Sequence, residues 1–303
     1  MSSGSKQKTA YGVETTVGTQ ASTWQTLSFT TNGLDETPTT TESQAIKDGR
    51  IASGTLVTGS DIAGDIETEF AYGIQDDLLE CVAFNAWDTD VLTFGGTTRK
   101  TLSILKAYTD INNYHVFTAC HVNSWALNIA TDEIVTSTFG IMGLKRVASA
   151  SAPAGTVTPA PTAAPFTALS VGDIEFDDVA ISGSMCATAL DITFDNAAQV
   201  QRCLNYKNSA GAILETILTA SGSVTLAWAV GSAALYEKQF TNTPVKIEWS
   251  IKDALGNIYT LTLPKVLLSM TLPTGASGDI LTVDASFTVA DVAPYITRVP
   301  FTP

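Results

Sequence analysis

The sequence predicts a mainly β protein, a sandwich or barrel with one or two short flanking helices, and three observations favour this fold. Only 15% of the 303 residues are charged and 45% are hydrophobic, a composition that suits half-buried strands better than solvent-facing helices. Several segments alternate apolar and polar residues with a period of two. Helical periodicity is confined to two short segments. The chain is long enough for one large β domain or two smaller ones.

The clearest alternating segment lies at 65–70. Asp65, Glu67 and Glu69 share one face of the predicted strand. The opposite face holds Ile66, Thr68 and Phe70. Such a strand is half-buried, and its acidic face lies toward water or toward a lumen.

Further strands are predicted where the same alternation recurs, at 173–176, 191–195, 245–251 and 281–289. Gly256-Asn257 tolerates positive φ, so a hairpin is expected between 245–251 and a strand at 258–263. Pro264 is expected to end that strand or to place it at a sheet edge.

Two short helices are predicted, near 74–84 and near 232–240. The first has Ile74, Leu78 and Val82 on one face and acids on the other. The second begins at a possible Ser232 cap and directs Phe240 toward a core. Both are short enough to depend on packing against a sheet.

A weak internal echo leaves a duplicated fold open. Gly64, Phe70 and Gly73 are matched, each at the same distance along the sequence, by Gly222, Trp228 and Gly231. Around each set the predicted order is strand, glycine, short helix. Chance similarity between β segments explains the echo equally well.

The chain divides into four parts by composition. Residues 1–10 form a polar N-terminal arm, 11–147 a first β segment, 148–170 a linker or extended loop, and 171–303 a second β segment. The linker contains four prolines and no charged residue, so it cannot easily bury a core of its own. The arm and the linker are predicted to brace neighbouring subunits, and their removal is predicted to affect folding little.

The charge balance argues against tight nucleic-acid binding. Thirty acids and 16 bases give a formal net charge of −14, and no basic stripe is present to contact phosphates. A polar opening and the lack of any membrane-length apolar run predict a soluble product made in the cytoplasm, with no membrane partner. The four cysteines have no C-x-x-C spacing and are interpreted as small core residues.

No catalytic, cofactor-binding or metal-binding residues are predicted. His115 and His121 lie in apolar strand-like stretches without a partner at metal-ligand spacing. The pairs Asp76-Asp77 and Asp177-Asp178 leave a two-carboxylate glycosidase open, although solvated surface charge explains both pairs better. The familiar phosphate-loop, dinucleotide and hydrolase motifs do not occur in the sequence.

Two stretches resemble the major tail tube proteins of siphophages, which have long non-contractile tails. The first comprises 12–19, 31–34, 42–50, 64–70 and 76–81 with Ala83 and Trp87. The second comprises 195–196, 221–226, 235–240, 253–259, 263–265 and 278–287. The resemblance covers most of the chain except 148–170.

This resemblance implies a tail-tube-type sandwich whose strands join those of neighbouring subunits in stacked hexameric or pseudo-hexameric rings. Double-stranded DNA would pass through the lumen without specific binding, and Asp65, Glu67 and Glu69 are the candidate lumen-facing acids, an outer strand being the alternative. Tape measure, tail terminator and tail tip proteins are the implied partners in the virion. Because the echo is weak, six single-fold subunits per ring are favoured over three double-fold subunits.

Two other functions stay open at this stage. A capsid decoration protein or an adhesin module shares the composition but would bind a surface without stacking into tubes. An enzyme acting on polysaccharide is the third possibility. The host, the tube length and the assembly trigger are not encoded in recognisable motifs.

Overall fold

A network of paired strands runs through nearly the whole chain in the computed structural model, which describes residues 2–46, 51, 54–204 and 210–301. Met1 of the predicted arm and residues 47–50 of the family-like segment lie outside the described residues. Nineteen of the described strands belong to one linked network and two form a separate hairpin.

The described residues of the first half form ten strands and one helix. They are β1 Gln7–Val13, β2 Thr23–Leu27, β3 Thr31–Asn32, β4 Asp35–Glu42, β5 Thr55–Glu69, α1 Asp76–Ala83, β6 Val91–Thr93, β7 Leu102–Tyr108, β8 Asn113–Ala130, β9 Thr136–Gly143 and β10 Lys145–Ser149.

In the second half, the part that the structure describes forms eleven strands and one helix. They are β11 Thr156–Thr158, β12 Val171–Phe176, β13 Val179–Ala180, β14 Ala187–Asp195, β15 Gln199–Arg202, β16 Ala210–Leu214, β17 Thr219–Ala227, α2 Val230–Lys238, β18 Val245–Lys252, β19 Ile258–Ser269, β20 Thr282–Val289 and β21 Tyr295–Val299. Short 3₁₀ turns lie at Gly4–Lys6, Ala168–Ser170 and Gln239–Thr241.

The long strand β8 belongs to two layers because it changes partners along its length. Its first part pairs with β7 and β10, and its second part pairs with β9 and β14. A register irregularity between Val122 and Ser124 accompanies the change, as expected where a bulge bends a strand. Aromatic rings fill the core beside this bend: the ring centroid of Phe94 lies 4.0 Å from that of Phe194 and 5.8 Å from that of Trp125.

The mainly β prediction is confirmed, with a sandwich and two short helices, and the described strands do not close into a barrel. Ile66, Thr68 and Phe70 are each no more than 2% exposed, so their predicted inward orientation is correct. The predicted inward face of β18 is correct too, because Val245, Ile247, Trp249 and Ile251 are all buried.

The two halves of the chain repeat one fold. The first half pairs its strands in the order β2–β1–β7–β8–β9–β5–β4. The second half repeats that order with β13–β12–β18–β19–β20–β17–β14. In each half the helix follows the strand that occupies the sixth place, β5 or β17. The echo in the sequence therefore reflects a structural duplication.

The match between the halves extends to individual residues. Leu102 pairs with Cys120 and Val245 pairs with Val266, and in both halves a register irregularity follows that pair. A side chain at Gly64 would place its Cβ 2.4 Å from the Gly33 carbonyl oxygen, and one at Gly222 would lie 2.0 Å from that of Asp191. Both strands need glycine because another strand's backbone lies against it.

The structure corrects several boundaries. Strand β19 continues through Pro264 to Ser269, because Pro264 falls at the register irregularity, where its missing N–H removes no ladder bond. Helix α2 begins at Val230, so Ser232 lies in its first turn, where its hydroxyl accepts a bond from the Ala229 N–H at 2.7 Å. Phe240 is 65% exposed and does not reach the core.

The arm and the linker are shorter than predicted. Strand β1 begins at Gln7, and Thr9 and Ala10 are buried, because β1 pairs with β7 on one side and β2 on the other. The linker is attached through β11, which pairs with β2. Its Phe166 is fully buried. Ala10 and Phe166 are therefore core residues, and only about residues 2–6 and 150–164 stay candidates for braces.

Candidate functional site

The acidic face of β5 is the first candidate surface. Asp65 and Glu69 are exposed and Glu67 is half-buried, while the residues between them point into the core. Glu67 accepts a hydrogen bond from the Thr31 hydroxyl at 3.3 Å. The predicted alternation thus places the three carboxylates side by side on the outer side of the sheet.

Register extends this acidic face across three further strands. Asp65 lies opposite Gly140 in β9, which lies opposite Ser124 in β8, which lies opposite Asp195 in β14. Residues directly opposite in antiparallel strands project on the same face. The acids of the two halves therefore share one surface.

A second row of opposed residues is parallel to the first. Glu69 lies opposite Thr136, Thr136 opposite Asn128, and Asn128 opposite Asp191. Ser223 of β17 continues the row and donates its hydroxyl hydrogen bond to Asp191 at 2.5 Å. Asp284 of β20 lies on the same face, one pair further along, opposite Thr225.

The eight strands that build this layer contain few bases. They are β4, β5, β9, β8, β14, β17, β20 and β19. The first seven contain no lysine or arginine, and Lys265 of β19 is paired with Asp291. We name the polar side of this layer the acidic face. Arg202 of β15 reaches this face from outside the layer and pairs with Asp61 of β5. The potential of the face is nevertheless negative, because its acids outnumber this base and the bases of its own strands.

Sequence reasoning identified Asp65, Glu67 and Glu69 but missed Asp191, Asp195 and Asp284 as members of the same surface. The alternation in 191–195 and 281–289 correctly predicted that these acids lie on strands and on the polar side of each strand. Only the pairing of β8 with β14 and of β17 with β20 places those strands in the same layer as β5.

The carboxylate pairs considered for catalysis have structural partners. Asp76 accepts hydrogen bonds from the Tyr259 hydroxyl and from Arg298, and Asp77 accepts one from the Tyr11 hydroxyl at 3.2 Å. Asp76 is therefore not the solvated helix residue that the sequence indicated. Burial raises its pKa, while the bonds from Tyr259 and Arg298 act in the opposite direction.

The second pair and the histidines are also bound within the chain. Asp177 and Asp178 form ion pairs with Lys238 and Lys246, respectively. His115 lies 3.1 Å from Arg146, and burial lowers the pKa of His121. Within the described ranges, no group of three or more His, Cys, Asp or Glu side chains is placed to hold a metal ion.

The cysteines divide into two groups. Cys81 and Cys120 are buried, as predicted, and burial raises the pKa of both thiols. Cys186 is exposed and Cys203 is half-buried, so these two are not core residues. They lie in the second half, before β14 and after β15.

A groove brings the two candidate braces together. It is lined by Gly4 and Ser5 of the N-terminal segment, by residues 26–30, and by Val157, Pro159 and Ala160 of the linker, and its volume is about 870 Å³. Ser2 donates a hydrogen bond to Asp110 at 2.8 Å, which lowers the pKa of that carboxyl. No helix in the described part of the chain is long and apolar enough to cross a bilayer.

The chain is thus a duplicated β-sandwich with an acidic face, and the carboxylate pairs considered for catalysis have partners within it. The chain belongs to the family of phage tail tube proteins, because the model of that family matches residues 4–290. It is therefore a structural component of a phage virion. A search of curated proteins found no match.

Proposed function

We propose that the chain is the major tube subunit of a long non-contractile siphophage tail, in which rings stack into a conduit for the genome. The observation that carries this proposal is the acidic face. It extends over both halves of the chain and is built on strands that are almost free of basic residues. A lumen wall of this kind repels phosphates along the whole path of the DNA.

Asp65, Glu67 and Glu69 line the lumen in this proposal, together with Asp191, Asp195 and Asp284. The opposite side of the same layer is filled by core residues such as Ile66, Phe139 and Trp125. Of the two sides of this layer, the acidic face is therefore the one that can border a channel. The alternative of an outer, solvent-facing strand predicts no effect of these acids on DNA passage.

Self-association follows from the same proposal. Open strand edges allow many backbone groups to pair at once when another copy is added. The tape measure, tail tip and tail terminator proteins are the partners of the tube in this proposal, and DNA passes through without specific binding. Synthesis takes place in the host cytoplasm.

We expect the purified protein to form rings or tubes in negative-stain images when it is concentrated with a tail-tip or tape-measure template. If the protein instead coated a surface and formed no tubes, it would be a decoration or adhesin protein. A chain that stays monomeric at every concentration, with the template present, would contradict the tube function.

The candidate braces give a further prediction. Deleting residues 2–6 removes contacts to Asp110 and the two hydrogen bonds that Thr109 donates to the Lys6 carbonyl oxygen, one from its N–H and one from its hydroxyl. It removes no buried apolar side chain. We expect the free energy of unfolding to fall by no more than about 1 kcal/mol, and tube growth to be impaired because the groove loses one wall. Light scattering during templated assembly measures the growth rate. Normal growth of the shortened chain would exclude a bracing role.

A further inference from the structure

The two halves of the chain meet through several strand pairs, among them β6–β21 and β2–β11, and one further pair joins their polar layers. Strand β8 of the first copy pairs with β14 of the second, with Ser124 opposite Asp195 and Ala130 opposite Ala189. Through this pair the layer β4–β5–β9–β8 continues into β14–β17–β20–β19. We call the β8–β14 pair the internal joint.

Both ends of the eight-stranded layer are counterparts of the strands in the internal joint. In the duplication, β14 corresponds to β3–β4, and β8 corresponds to β19. Among the described residues, β3 and β4 pair on one side only, with β5. Residues Leu267–Ser269 of β19 pair with β20 on one side. On the other side, β18 pairs with β19 only as far as Val266, so no described strand covers the β18 side of Leu267–Ser269.

An apolar side chain beyond β19 is exposed where its counterpart at the internal joint is buried. Leu127 of β8 lies opposite Ile192 across the joint and is 2% exposed. Its counterpart Leu272 is 58% exposed, as expected for a residue whose covering strand comes from another chain.

The unpaired edges of the layer, along β3–β4 and at the end of β19, are capped by side chains of the same chain. Lys106 donates to the carbonyl oxygens of Asn32 and Leu34 at 2.8 and 3.0 Å, and the Asn32 side chain accepts from the Leu34 N–H. Gln239 accepts from the Met270 N–H at 3.0 Å. These are the backbone groups that an added strand would use. Capping by side chains blunts an edge in a monomer and is exchangeable when a strand arrives.

We propose that the edge Asn32–Thr37 of one chain pairs antiparallel with 269–274 of a second copy, in the register of the internal joint. This proposal rests on the ring-forming function proposed above. It places Leu34 opposite Leu272 and Thr37 opposite Ser269, as Ile192 lies opposite Leu127 and Asp195 opposite Ser124. The pairing ends at Pro38, which has no N–H to donate.

This contact joins two different surfaces, so it is a head-to-tail contact that repeats around a ring. The proposed contact between chains has the same register as the internal joint within a chain, and each chain contributes two copies of the fold to the ring. A ring of six folds then contains three chains. The duplication thus reverses the preference for six chains that the weak sequence echo had favoured.

Cysteine cross-linking tests the register. The counterparts of Thr37 and Ser269 are Asp195 and Ser124. They lie next to the pair Asn196–Asn123, in which the Asn196 N–H donates to the Asn123 carbonyl oxygen, so Asp195 and Ser124 form a non-hydrogen-bonded pair. In such a pair the Cβ atoms lie about 4.5–5.5 Å apart, close to the separation that a disulfide needs. Thr37 and Ser269 are both exposed. We expect Thr37→Cys with Ser269→Cys, in a Cys186→Ser, Cys203→Ser background, to form disulfides between chains in purified, mildly oxidised tails.

The products distinguish the possible assemblies. Under non-reducing denaturing conditions the covalent ladder should stop at three chains, closed into a circle. Thr39→Cys with Ser269→Cys, two residues out of register, should remain monomeric, as should each single cysteine variant. Intact tails in which the cysteines introduced at positions 37 and 269 do not cross-link, or a ladder that reaches six chains, would overturn the proposed contact between chains but not the tube function. If neither the variants nor the unmodified chain formed rings, both the tube function and the proposed contact between chains would be overturned.

Discussion

Replacing Asp65, Glu67 and Glu69 together with lysine is expected to slow DNA ejection from otherwise intact particles by about tenfold or more at low salt. The three carboxylates belong to the acidic face, whose strands offer almost no compensating base. Lysines at these positions would exchange counterions for phosphate contacts in every ring. The monomer should stay folded because the buried residues on the other side of β5 are unchanged.

Time-resolved release of DNA from purified particles measures this effect. The neutral series Asp65→Asn, Glu67→Gln and Glu69→Gln should give an intermediate rate, since it removes repulsion without adding attraction. Glu237→Lys, on the exposed side of α2, controls for added positive charge outside the acidic face. At about 1 M salt the Debye length falls to roughly 3 Å, so the lysine variant should recover. Unchanged ejection at low salt would place the three acids outside the channel wall.

Phe166→Ala is expected to lower the free energy of unfolding by about 3–5 kcal/mol, as for other large buried aromatic residues. The Phe166 side chain is fully buried, and its ring centroid lies 5.6 Å from that of Phe70 and 6.2 Å from that of Tyr259. Its backbone donates to the Phe70 carbonyl and accepts from the Val135 N–H. The residue therefore attaches the end of the linker to the core.

Urea denaturation of the purified monomer measures this loss, with Leu169→Ala as the matched control. Leu169 lies three residues further along and is 97% exposed, so its truncation should change stability by less than about 0.5 kcal/mol. If the two variants were equally stable, the linker would be the free segment that its composition indicated. Deleting residues 150–164, which leaves Phe166 in place, separates the bracing role from the core contact.

Local patterns of side chains predicted the parts of this fold that depend on alternation. The strand around Asp65, the inward face of β18 and the hairpin at Gly256-Asn257 were all correct, because a half-buried strand requires apolar residues at every second position. The scarcity of charge and of helical periodicity predicted the fold class for the same reason.

The position of Phe166 could not be predicted because its neighbours in sequence are alanines, threonines and prolines. Burial of a single aromatic residue in such a segment depends on distant partners, here Phe70 and Tyr259. The same holds for Asp76, whose acidic neighbours indicated a solvated helix face. Its partners Tyr259 and Arg298 are supplied by β19 and β21 at the far end of the chain.

By itself the sequence determined a mainly β chain, an acidic side on individual strands and a faint repeat around Gly64 and Gly222. Only the tertiary structure decided that the repeat is complete and that the acids of both halves share one face. The physical reason is that strand order and register depend on packing between segments far apart in the chain, whereas alternation is a local pattern. The backbone hydrogen bonds of a ladder are the same for any side chain, so equivalent residues such as Phe139 and Ala285 can differ while the pairing of their strands persists.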